Sequence, residues 1–383
     1  MNISIIVGGR FHAFNLAEQL NNNNNLKQLI TTYPKYFIKK NYGIDKKKIQ
    51  SVILKEIIQR SFLNKIYNFN DKLIEHFDNK AQKLLDFKDL DILIGWSSFS
   101  LKSFQLVKNN KCLKILERGS THIDFQTNIM KEEYLINNLT PNLPSKYIID
   151  KEKMEYQLAD HIMVPTEFAR QTFLTRGFAE KKIIKIPYGV DLKEFQKKKS
   201  NKEKGLIFRI IYTGTLSIRK GVLYLLKSFE ELNLKNSQLL MIGNIDSEIK
   251  SKINKYRSNK KIIFKKSISQ SKLSEQYSSS NVFITCSIEE GLSMVQLQAM
   301  SCGLPIICTP NSGGDEIIDN GNDGFILPIR DIEELKKKIL YLYNNQSICF
   351  DMGMSAQKKI KDSLSWESYG KNVISAFQKL LKK

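Results

Sequence analysis

Strand and helix signals alternate along this chain, and the alternation breaks once near the middle and then starts again. Short apolar runs at 3–7, 28–31, 92–95, 113–116 and 161–164 read as buried strands. Amphipathic helices lie between them, for instance at 14–20, 71–85, 154–159 and 167–176. After the turn-forming IPYGVD and the polar stretch QKKKSNKEKG, which place the break near 187–205, strand signals return at 208–212, 238–242, 262–264, 282–285, 306–308 and 324–327. The helices of this half fall at 222–232, 272–278, 295–300, 332–342 and 366–381. Such alternation predicts an α/β chain with two parallel sheets, hence two Rossmann-like domains facing each other. Ligands of open α/β sheets bind beyond the carboxyl ends of the strands, so two facing edges predict a cleft.

Composition narrows the class. A chain of 383 residues suits two domains of about 150–200 residues, and 42% hydrophobic residues suffice for two cores. No apolar run reaches the roughly 18–20 residues of a membrane span, and MNISIIVGG reads as a first strand, not a leader. Five scattered cysteines without a CxxC pair point to reduced thiols in a cytoplasmic protein. The net charge of +21, mostly lysine, fits a Lys- and Asn-rich composition, and it also fits a basic face resting on anionic lipid. No nucleic-acid motif accompanies it.

Four segments carry polar chemistry where strands end. Gly8-Gly9-Arg10-Phe11-His12 follows the first strand; its glycines let backbone approach a ligand, and His12 can bond a hydroxyl or phosphate. Glu117-Arg118-Gly119-Ser120-Thr121-His122 follows the strand at 113–116. Gly214, Thr215, Arg219, Lys220 and Gly221 lie between a strand and a helix, where cations are costly unless an anion is bound. The fourth segment, residues 285–305, ends a strand, turns through Glu289-Glu290-Gly291 and enters a helix near Ser293. Gln298 lies four residues after Met294, on the same face of that helix. The only DxD triplet, Asp89-Leu90-Asp91, reads as the polar boundary of a strand.

Taken in order, ADHIMVPTEFARQTFLTRGF, KIIKIPYGVDLKEF, YTGTLSIRKG, EEGLSMVQLQAMSCGLPII and NSGGDEIIDNGNDGFILP resemble the family 4 glycosyltransferases over nearly the whole chain. That resemblance implies a GT-B fold, with a first domain at 1–188, a nucleotide-sugar domain at 206–363 and a last helix, 364–383, crossing back to the first domain. It implies retaining transfer of a hexose-type sugar from a nucleoside-diphosphate sugar to a glycan or lipid-linked acceptor, as in polysaccharide or lipopolysaccharide biosynthesis. No cofactor or essential metal is implied, and the location is cytoplasmic, peripheral to a membrane if the charge serves lipid. Glu290, Lys220 and His122 take catalytic positions by this resemblance. Gly214, Thr215, Arg219, Gly291, Leu292, Ser293, Met294 and Gln298 take donor positions, and Gly9 and His12 lie on the acceptor side. Two residues depart from the pattern: Gln298 stands where a second glutamate is usual, and Thr215 where an arginine is usual. A GT-B sugar-nucleotide epimerase and a non-catalytic nucleotide-sugar-binding subunit are the alternatives.

Overall fold

The computed structural model describes residues 1–61, 70–107, 112–198 and 207–382. Most of the polar stretch at 196–205 lies outside the described residues. The first sheet contains β1 (Ile3–Val7), β2 (Leu26–Thr31), β3 (Ile49–Ser51), β4 (Ile92–Trp96), β5 (Leu113–Glu117), β6 (His161–Val164) and β7 (Ile183–Lys185). All pairs are parallel, in the order β3-β2-β1-β4-β5-β6-β7. The second sheet holds β8 (Phe208–Thr213), β9 (Ser237–Ile242), β10 (Ile262–Lys265), β11 (Val282–Ile284), β12 (Ile306–Cys308) and β13 (Gly324–Ile326), again parallel, in the order β10-β9-β8-β11-β12-β13.

Helices cover both faces of each sheet, which is why these strands are apolar without alternation. All five residues of β1 and of β4 are buried. Neighbours on β8 divide between two cores: Ile210 packs in one buried cluster and Ile211 in the other, because successive side chains leave opposite faces. The three-residue edge strands β3 and β7 carry too little pattern to be read from sequence. Asp91 explains the DxD triplet, since its Oδ2 accepts from Asn2 N (2.7 Å) and ties the start of β4 to β1.

In each sheet the strand order reverses once: between β1 and β4 in the first, and between β8 and β11 in the second. Loops leaving those strands therefore splay apart and open a crevice. The segments at 8–12, 214–221 and 285–293 leave β1, β8 and β11, and the loop at 97–100 leaves β4.

The last helix, Trp366–Leu381, packs on the first domain. A Cβ placed on Gly370 would lie 2.5 Å from Gln19 Cβ, and Val190 N donates to Leu364 O (2.9 Å) where the chain returns. Among the described residues no helix is long and apolar enough to cross a membrane.

Candidate active site

The two crevices meet in one cleft of about 550 Å³. The first domain lines it with Phe11, His12, Trp96–Phe99 and Arg118–Ser120, and the second with Thr213–Thr215, Arg219, Lys220, Glu290 and Leu292–Val295.

Two glycines make this approach possible. Gly221 has φ +60° and caps the helix Val222–Leu232; a Cβ there would lie 2.0 Å from Cys286 O. It thus brings the 219–220 pair against the end of β11. Gly291 meets the other domain, where a Cβ would lie 2.2 Å from Gly119 O.

Lys220 Nζ contacts Glu290 Oε1, and Ser287 Oγ donates to Glu290 Oε2 (3.2 Å). Both side chains keep some exposure to the cleft, so this pair sits where an incoming anion would compete for the lysine. The helix Met294–Ser301 starts here, and the amides of Met294 and Val295 have no acceptor among the described residues. Orphan amides and a helix dipole together favour a negatively charged group.

Glu289, the other acid of the turn, points away from the cleft and is fully buried. Its Oε1 accepts from Ser120 Oγ (2.5 Å), Thr121 Oγ1 (2.6 Å) and Thr121 N (3.3 Å), all in the first domain. Its Oε2 accepts from Arg219 Nε (2.7 Å), while Arg219 Nη2 donates to Ser120 Oγ (3.1 Å). Burial alone would raise this carboxyl. Arg219, the two hydroxyls and Arg118 outweigh it and hold the group down at about 2. Arg219 is therefore half of an inter-domain latch, with only its outer edge left to the cleft.

Across the cleft, His12 Nε2 lies 3.0 Å from Glu117 Oε1, off the line of a well-aligned hydrogen bond. Tyr188 OH donates to the same oxygen (3.2 Å), and its ring stacks 4.0 Å from the imidazole. Arg118 is buried and fully engaged, donating from Nε to Thr121 O, from Nη1 to Ser97 Oγ and from Nη2 to Gln126 Oε1. The loop after β4 is held in tension. Ser98 has φ +74°, and two buried carboxylates fix it: Glu155 accepts from Ser98 N (2.6 Å) and Ser100 N (2.8 Å), and Glu152 accepts from Ser98 Oγ (2.6 Å).

Of the residues singled out from sequence, Glu290, Lys220, Gly214, Thr215, Arg219, Leu292, Ser293, Met294 and His12 line the cleft together. Gly9, Gly291, Gln298 and His122 do not. Gly9 lies under the Phe11 ring, and Gly291 is packed on Gly119. Gln298 is buried one turn behind Met294, where its Oε1 meets Tyr277 OH (3.4 Å). His122 caps the helix Ile123–Ile136, its Nδ1 accepting from Asp124 N (3.1 Å), with its ring among Tyr156, Phe173 and Phe178. From its segment it is Arg118, Gly119 and Ser120 that line the cleft instead. The 96–99 loop, Glu152 and Tyr188 carry no local signal for a site; Glu117 and Glu289 lie within the polar segments read from sequence, but without a role of their own there.

Burial, then Arg176, pushes the His122 imidazole down to about 4. The unfolded chain takes up a proton below the ordinary value of 6.5, while the folded chain stays neutral until about 4. Stability therefore falls as pH drops through that window, by up to about 3 kcal/mol. The expected result for His122→Asn, which keeps a capping oxygen, is a flatter melting-temperature profile between pH 6.5 and 4. An unchanged profile would assign the acid sensitivity elsewhere.

Two facing parallel-sheet domains, with a cationic, amide-lined crevice in the second, define an architecture of the GT-B type. Residues 192–359, somewhat under half of the chain, match the model of glycosyl transferases group 1, so the likeness to that family lies in the C-terminal domain. An uncharacterized glycosyltransferase of Methanocaldococcus jannaschii is 27% identical over 76% of both chains. The capsular polysaccharide biosynthesis glycosyltransferase CapM of Staphylococcus aureus is 26% identical over 60% of this chain and 64% of its own. Among solved structures, the sucrose-phosphate synthase of Thermosynechococcus elongatus superposes with TM-score 0.74 at 17% identity, covering 100% and 99% of the two chains. Anabaena HepE, solved with UDP and glucose, gives TM-score 0.70 at 11% identity over 99% and 100%. These last two matches establish the fold.

Proposed function

We propose that the chain transfers a hexose-type sugar, with retention, from a nucleoside-diphosphate sugar to a hydroxyl of a glycan or lipid-linked acceptor in cell-surface polysaccharide synthesis. The observation that carries this reading is Lys220 beside Glu290 at the start of the helix Met294–Ser301, facing His12 across the cleft. On it, Lys220 and the amides of Met294 and Val295 take the donor diphosphate, and Glu290, released from the lysine, accepts from sugar hydroxyls. Charge developing on the leaving diphosphate is then met by protein groups with no metal. The leaving phosphate takes the acceptor proton, and the acceptor enters past Phe11 and His12. Gln298 belongs to this reading only through Tyr277, because it stands behind the cleft wall. A cytoplasmic position beside an anionic membrane fits the +21 charge.

Thermal melting with UDP-glucose, UDP-galactose, UDP-N-acetylglucosamine and GDP-mannose tests the reading. A matching donor at 100 times its Kd stabilises the fold by about 2.7 kcal/mol, a shift of several degrees. No shift with any nucleotide sugar defeats the proposal. Release of a free or epimerised sugar without an acceptor assigns the cleft to a different reaction, and the anomeric configuration of a transferred product tests retention.

A further inference from the structure

A second concavity, of about 420 Å³, lies on the first domain, within the ~300–1,000 Å³ range of ligand pockets. Its walls are Pro34 and Phe37, at the start of the helix Lys35–Tyr42, and Ile53 and Ile57, at and within the helix Leu54–Arg60. That second helix has its polarity inverted. Ile53, Leu54 and Ile57 are 43%, 41% and 56% exposed, while Lys55 is buried at 8% and lays its ammonium over the Phe99 ring. A helix that turns apolar side chains outward and a lysine inward presents a face made to meet apolar material.

One end of the groove is cationic. Arg10 is exposed, steadied by its Nε bond to Tyr42 OH (3.1 Å) and by the Phe37 ring 5.8 Å from its guanidinium carbon. Neither terminal nitrogen of Arg10 has a partner among the described residues. Lys40, exposed, follows Phe37 by three residues and so lies on the same side of its helix. Glu56 is the acid on the wall, and its Oε1 accepts from Thr32 Oγ1 (2.7 Å).

The groove and the cleft share a wall one residue thick. Arg10 lines the groove and Phe11, the next residue, lines the cleft. Phe11 is 57% exposed and has φ +39°, a backbone strain that turns consecutive side chains into separate spaces.

We infer that this groove holds the hydrocarbon chain of a lipid-linked acceptor whose phosphate linkage sits on Arg10, while its hydroxyl-bearing end reaches the cleft past Phe11. The inference rests on reading the cleft as a transferase site. A second copy of this chain is a poorer occupant, because each copy brings a charge of +21.

Calorimetric titration of the full chain with n-dodecyl phosphate, n-dodecyl maltoside and inorganic phosphate tests it. Saturable one-to-one binding of dodecyl phosphate is expected, weakened at least ten-fold by Ile57→Glu and, as an independent variant, by Ile53→Glu. Arg10→Gln should weaken dodecyl phosphate five- to ten-fold and leave dodecyl maltoside unchanged; inorganic phosphate alone should not saturate. The melting shift given by a nucleotide sugar should survive in both isoleucine variants, which also shows that they fold. Equal binding of dodecyl phosphate by wild type and both variants overturns the inference. So does a concentration-dependent dimer abolished by Ile57→Glu, or adsorption to phosphatidylglycerol vesicles with no one-to-one site for the soluble probe. If dodecyl phosphate binds as expected but no nucleotide sugar does, the transferase reading fails while the chain-binding site stands.

Discussion

Lys220→Ala is expected to lower kcat/KM for sugar transfer by about 10²–10³, the usual loss when one charge-stabilising donor is taken from a reacting centre. The lysine's only partner among the described residues is Glu290, and both side chains are partly exposed to the cleft. Its removal should therefore cost no more than about 1 kcal/mol of stability. That contrast is the useful part of the experiment, because activity collapses while the melting temperature barely moves. Lys220→Arg should recover part of the rate, since charge is kept but the compact point charge becomes a planar fork. Initial rates with the donor found by the melting screen, compared for the three proteins, check this. A Lys220→Ala enzyme with wild-type rate would remove the diphosphate role and, with it, the main support for the proposed reaction.

Glu289→Gln should act in the opposite way, as a stability defect first. The substitution keeps shape, but it sets an amide beside Arg219 and removes the charge that Ser120, Thr121 and Arg219 jointly surround. Glu289 is fully buried but the Arg219 side chain is 37% exposed, so the loss should fall short of the ~3–5 kcal/mol of a fully buried pair, at about 2–3 kcal/mol. Because the bonds of Glu289 join the two domains, the loss should appear as a lower melting temperature, by roughly 3–6 °C, and a more open molecule in small-angle scattering. The pH dependence has a definite sign. The carboxyl is held at about 2 in the folded chain against an ordinary 4.5, so its stabilisation is complete above 4.5 and lost as pH falls toward 2. The variant should lack that acid limb. Equal melting temperatures at pH 7 would show that the latch contributes nothing to holding the domains together.

The two predictions concern adjacent glutamates, and sequence treats them almost alike. Register within the resemblance pointed to Glu290 as the donor-side acid, and the geometry does place it on the cleft beside Lys220. Nothing local marked Glu289 as the residue that reaches the other domain. Its partners Ser120 and Thr121 are 169 and 168 positions away, and no periodicity carries information over that distance. Arg219 shows the same limit from the other side. It was assigned to the anion because it neighbours Lys220, yet consecutive side chains diverge, and its guanidinium is spent mainly on Glu289 and Ser120.

His122 and Arg118 make the point within one segment. A polar cluster after β5 was legible because polar residues at a strand's carboxyl end mark a ligand edge. Which member faces the ligand depends on where the helix Ile123–Ile136 begins. Its first turn draws His122 into a capping bond and an aromatic nest, leaving Arg118, Gly119 and Ser120 to the cleft.

By itself, then, the order of residues determined the two parallel-sheet halves, the break between them and the loops that carry the chemistry. All of these follow from local hydrophobic pattern and turn residues, which act over a few positions. Only the tertiary structure decided which strands flank each reversal of order, which acid bridges the domains, how Glu152 and Glu155 hold Ser98 in a left-handed turn, and that the helix Leu54–Arg60 shows its apolar side outward. Those features are set by contacts between segments far apart in the chain, where burial and charge pairing, not local propensity, choose the direction of each side chain.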